Sequence, residues 1–109
     1  MLNSKLCRAL QLRELAKNIL ALHGRLILSA VDGCHFWTIS DDEFRIELQP
    51  AIACSATPTW LDISRRGRKM FTLIWFSDPR HGATKVLLDE ADCDLETELR
   101  SRWAWGDDD

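Results

Sequence analysis

The chain has 109 residues, a net charge of −3 and 46% hydrophobic residues. That length suits one domain around one core, and that apolar content excludes a disordered body. The negative balance argues against a dedicated nucleic-acid binder, which carries a domain-wide basic excess.

At the N-terminus, residues 4–22 read as a helix, because Leu12, Leu15, Ala16, Ile19 and Leu22 recur at three- and four-residue steps. Ser4 suits its N-cap, and Gly24 suits a left-handed C-cap because it has no Cβ. Lys5, Arg8, Arg13, Glu14 and Lys17 interrupt the apolar residues, so a signal-peptide core is absent. No apolar run approaches the ~18 residues that span a bilayer. The expected location is the cytoplasm.

Residues 25–31 form a short apolar strand, followed by Asp32-Gly33 and a second strand over 34–39. An Asp-Gly pair between apolar runs signals a type I′ hairpin, which here would set Val31 opposite Cys34 and Ser29 opposite Phe36. Phe44, Ile46 and Leu48 then alternate with Arg45, Glu47 and Gln49. This period of two predicts a strand with one wet face. Ser40 and Glu43 also fit a capping box, but Pro50 and the strict alternation favour the strand.

Pro50 and Pro58 bracket a loop. Residues 59–64 read as a short strand, 65–69 as a turn and 70–77 as a long strand. Met70, Ile74 and Phe76 occupy one face of that strand, and Phe71, Leu73 and Trp75 the other. A strand apolar on both faces requires cover on both sides. Residues 78–82 form a second loop and 85–88 another strand. Asp89 or Asp92 could cap a last helix ending near Trp103, with Leu88, Leu95, Leu99 and Trp103 on one stripe.

The expected fold class is therefore α+β: an N-terminal helix, an antiparallel sheet of five or six strands built from hairpins, and a C-terminal helix. Both helices should pack mainly on one face of the sheet. The single domain covers 1–105, and 106–109 form a frayed acidic tail. One face of the 70–77 strand then lacks an obvious cover, which points to a protein partner or self-association.

Arg65, Arg66, Arg68 and Lys69 crowd a hairpin tip around Gly67. Arginines there could grip phosphates or an acidic protein, although a solvated turn is the simplest place for such charge. The sequence holds five tryptophans and no tyrosine. Trp37, Trp60 and Trp75 should fill the core. Trp103 and Trp105 lie about 200° apart on a helix, so both cannot face inward. Exposed tryptophan beside arginine is typical of binding hot spots. The acidic segment from Asp89 to Glu98, with Asp107 to Asp109, could mimic phosphates, though such runs are commonly solvated helix faces.

Chemistry finds less support. Cys7, Cys34, Cys54 and Cys93 include no Cys-x-x-Cys pair and read as free buried thiols. Cys34 and His35 are adjacent on a strand, so their side chains diverge and cannot share one ion. Neither a metal nor any other cofactor is expected. Asp78, Arg80 and His81 share a loop where His81 could act as a base. No Gly-rich phosphate loop, nucleophile elbow or carboxylate pair accompanies them.

The sequence thus favours a non-enzymatic protein–protein interaction module, for example a small inhibitor of a nucleic-acid-processing complex. Arg65, Arg66, Arg68, Lys69, Trp103 and Trp105 are its candidate partner-binding residues. Nucleic-acid binding through the 65–69 hairpin is the alternative, and an enzyme using the 78–82 loop comes third.

Overall fold

The computed structural model describes residues 4–28, 35–49, 59–75, 85–89 and 95–103. They form an α+β fold in the order α1 (Ser4–His23), β1 (Arg25–Leu28), β2 (His35–Ser40), β3 (Phe44–Gln49), β4 (Thr59–Arg65), β5 (Arg68–Trp75), β6 (Lys85–Leu88) and α2 (Leu95–Arg102). The sheet is an antiparallel meander, with strands side by side in chain order from β1 to β6.

The core follows from the period-two alternation. In β3, Phe44, Ile46 and Leu48 are buried while Arg45 points to solvent. Register carries the same face across the sheet: Ile46 lies opposite Ile63 and Leu48 opposite Leu61, then Ile63 opposite Phe71 and Leu61 opposite Leu73. Leu12, Leu15, Ala16, Ile19 and Leu20 of α1, with Leu95 and Leu99 of α2, join these strand residues in one apolar cluster. Each large side chain buried there contributes roughly 1.5–3 kcal/mol. The Arg13 guanidinium of α1 lies 5.2 Å from the ring centre of Trp75, at the end of β5.

Several expectations need correction. Leu22 does not join the core but is 57% exposed. Its helical angle nearly matches that of Leu15, seven residues earlier, so position along the axis separates them: Leu22 stands in the final turn. Gly24 has no positive φ among its properties, unlike Gly67. Its N–H continues the helical pattern to Leu20 O at 2.9 Å.

The β1–β2 register differs by two residues from the expected hairpin. Ile27 pairs with Phe36 and Leu28 with His35, whereas the Asp-Gly turn would set Ser29 against Phe36. The observed register places Leu26 opposite Trp37 and Arg25 opposite Thr38. Three of the four pairs set like against like, Leu28 with His35 being the exception, and cross-strand pairs are the unit of sheet stability. Residues 29–34 lie outside the described segments.

The β4–β5 register shifts between Ile63 and Ser64, so Ser64 pairs with Lys69 while Ile63 pairs with Phe71. Met70 is the extra residue of this bulge. As a result Met70, Phe71, Thr72 and Leu73 are all buried in sequence. The second face of β5 is less greasy than expected: Thr72 lies between Met70 and Ile74 and donates its hydroxyl to Asp62 Oδ1 at 2.7 Å. Trp60 also departs from expectation. It is half-buried on that second face, where its indole N–H donates to Gln49 Oε1 at 2.9 Å. The N–H of Asp89 closes the β5–β6 ladder on Met70 O at 2.8 Å, and the cap expected at Asp89 or Asp92 concerns residues 90–94, which lie outside the described segments.

Candidate functional site

The basic hairpin turns through Arg66 and Gly67, at φ of 52° and 80°. Positive φ at both central positions defines the twist-compatible hairpin turn. Every cation of the tip meets a carboxylate. Arg65 Nε donates to Glu43 Oε2 at 2.6 Å, and Arg66 reaches the same oxygen at 3.4 Å. Arg68 pairs with Asp89, and Lys69 lies 3.5 Å from Asp62. The register makes this possible, because β4 and β5 bring the tip beside the 41–43 turn and the end of β6. Three carboxylates thus offset four cations, with Glu43 shared by Arg65 and Arg66, so the tip is a partly neutralised cationic patch.

Behind the tip lies a cluster that the sequence did not single out. Asp41 Oδ1 accepts from the N–H groups of Glu43 and Phe44, both at 2.7 Å. This is an Asx-type turn, and it leads into β3 where a capping box would have started a helix. Arg102, at the end of α2, reaches both Asp41 and Glu43. Arg65 and Arg102 also lie over the Phe44 ring, at 5.3 and 4.7 Å from its centre. Burial pushes the Asp41 carboxyl upward, but the two amide hydrogen bonds and Arg102 overcome it and hold it below its ordinary value. The Arg65 hydrogen bond, with the charges of Arg65, Arg66 and Arg102, holds Glu43 below its own. Its hydrogen bond to Asp41 in turn raises Arg102. Closed on itself in this way, the cluster is a clamp between α2 and the β2–β3 turn.

The acidic face of α2 is likewise paired: Glu96 lies 3.1 Å from Arg100 and Glu98 4.0 Å from Arg102. Trp103 packs partly buried against the core. Trp105, Cys34, Cys54, Cys93, Asp78, Arg80 and His81 lie outside the described residues. Cys7 is a free thiol. Among the described residues no group of His, Cys, Asp or Glu could hold a metal ion. No described helix is long and apolar enough to cross a membrane.

What stands open is the first edge of the sheet. As the end strand of the described sheet, β1 has β2 on one side only. Leu26 and Leu28 are 48% and 60% exposed, and Leu22 of α1 adds to them. Arg25 is exposed beside them. At the opposite edge, β6 shows one exposed leucine, Leu87, and touches α1. Sequence reasoning had the residues of β1 but not its place at the edge, since strand order is a tertiary property. Comparison with protein-family models, curated proteins and solved structures finds no match to this chain.

Proposed function

We propose that the chain is a non-enzymatic protein-binding module that captures an extended segment of a partner along β1. The observation carrying this reading is the exposure of Leu26 and Leu28 on an edge strand. An edge strand offers a row of main-chain donors and acceptors, and soluble proteins ordinarily blunt such edges with charge or proline. Here apolar side chains flank the row. Strand addition uses the main chain for affinity and alternating side chains for specificity. Arg25 gives the edge a positive end, so the complementary segment alternates apolar residues and carries an acidic one. The partial neutralisation of the 65–69 tip by Glu43, Asp62 and Asp89 favours this reading over nucleic-acid binding.

The test compares partners captured from the native host by the wild-type chain, by Leu26→Glu/Leu28→Glu and by Arg66→Glu. The edge variant should keep its circular dichroism spectrum and lose the partner, while the tip variant should retain it. A partner kept by the edge variant and lost by the tip variant would return the contact to the basic hairpin.

A further inference from the structure

On the other face of the β1 end, the residues Arg25, Thr38, Ser40 and Arg45 form a stepped row across β1, β2 and β3. Arg25 pairs with Thr38 across β1–β2, and Ser40 pairs with Arg45 across β2–β3. Paired residues share a face, and so do residues two apart on a strand. All four therefore rise from one side of the sheet. With His23 and Ile27 they line a cleft of about 340 Å³, within the size range of small-molecule sites.

The floor of the cleft holds an unmet demand. Thr38 is 9% exposed, and its Oγ1 is buried without a hydrogen-bond partner. Leaving a buried hydroxyl unpaired is destabilising, so such groups call for an explanation. The cations decide what would satisfy it. Arg25 and Arg45 stand on the strands flanking β2, two strand spacings apart and offset by two residues along the strand, about 12 Å at the backbone. Glu47, opposite Thr38, subtracts one charge and engages Arg45 Nη2 at 3.0 Å. The end of α1 contributes about half a negative charge. The two arginines outweigh both, and a guanidinium with five donors keeps several after one bond.

We propose that this cleft binds a small organic phosphate monoester, with the phosphoryl group over Thr38. A group there must accept from Arg25 on one side, from Arg45 on the other and from the Thr38 hydroxyl beneath. Three acceptor oxygens in a tetrahedral head meet those three directions, whereas a planar carboxylate offers two. Ile27 supplies an apolar wall for the organic part. The site uses the open face of the sheet rather than the outer rim of β1; it shares only Arg25 with the strand-capture reading, and the Leu26→Glu/Leu28→Glu variant separates the two.

The experiment titrates the full chain with phenyl phosphate, benzoate and an oligonucleotide lacking terminal phosphates, following backbone amide NMR shifts. Phenyl phosphate should saturate with a Kd on the order of 1 mM or tighter, shifting the amides of Arg25, Thr38 and Ser40. Thr38→Val should weaken it about tenfold, the value of one hydrogen bond to a charged group, while Thr38→Ser should restore binding. Arg25→Gln should weaken it as strongly, and Leu26→Glu/Leu28→Glu and Arg66→Gln should leave it unchanged. Equal affinity for benzoate would overturn the tetrahedral assignment. Tighter binding of the oligonucleotide at the same amides would overturn the small-molecule assignment. No saturation, or undiminished affinity in Thr38→Val and Arg25→Gln, would remove the site altogether.

Discussion

The guanidinium of Arg102 lies over the ring of Phe44, 4.7 Å from its centre, although 58 residues separate them in the chain. Arg102 also reaches the carboxylates of Asp41 and Glu43, in the turn just before Phe44. One side chain therefore ties the end of α2 to the turn that starts β3. Arg102→Gln keeps a planar polar group but removes the charge and the fork, and arginine is not replaceable in such bidentate, stacked sites. The expected result is a fall of several degrees in Tm, with earlier exchange of α2 amides than of β3–β5 amides in hydrogen-exchange measurements. Uniform exchange across the chain would show that the clamp does not fix α2.

The same clamp sets an acid limit. Asp41 and Glu43 are held below their ordinary values of 3.8 and 4.5. The unfolded chain therefore takes up protons at these sites before the folded one does. Their contribution is fully present above the ordinary values and is lost as pH falls through the lowered ones. Urea midpoints measured from neutral to about pH 2 should decline in that window. In Arg102→Gln the decline should be shallower, because less of the lowering remains to be lost.

Gly24 is required by space. A Cβ there would stand 2.5 Å from the backbone oxygen of Leu20 and 3.0 Å from its Cα. Backbone cannot yield as a flexible side-chain tip can. Gly24→Ala should lower stability by about 1–3 kcal/mol, the usual range for overpacking. Chemical denaturation checks this, and an unchanged midpoint would mean that α1 can end differently.

At the 66–67 turn the two positions should respond in opposite ways. Gly67 has φ of 80° and open space around it, so Gly67→Val suffers from backbone angle alone, by about 1–2 kcal/mol. Arg66 already sits at φ of 52°, where Asn is far better tolerated. Its contact with Glu43 is 3.4 Å from a side chain 75% exposed, and exposed pairs contribute at most about 1 kcal/mol. Arg66→Asn should therefore match or exceed wild-type stability in urea melts, while Gly67→Val falls below it.

The strands at 44–49 and 85–88 were legible because alternation, a proline and short apolar runs mark strands locally. The helix at 95–102 was legible from the spacing of Leu95, Leu99 and Trp103. The β1–β2 register was not legible, because the Asp-Gly signal is local while pairing is decided by which side chains meet across the strands. The burial of Met70 was equally hidden, since a bulge exists only relative to a partner strand.

For the candidate sites the division is sharper. Arg65 to Lys69 looked like free charge, and the three arginines turned out to face acids some twenty residues away in the chain, Lys69 the nearer Asp62. Leu26, Leu28, Thr38 and Arg45 gave no signal at all, as each is an ordinary strand residue in its own segment.

The amino-acid order by itself determined the two helices, the hairpin-built antiparallel sheet and the α+β class, because periodicity and turn chemistry are local properties of the chain. Only the tertiary structure decided which strand lies at the edge, which carboxylates meet which arginines, and which hydroxyls are buried without a partner. Those depend on pairing distant segments, and neither Coulomb energy nor burial can be assigned until the distances are known.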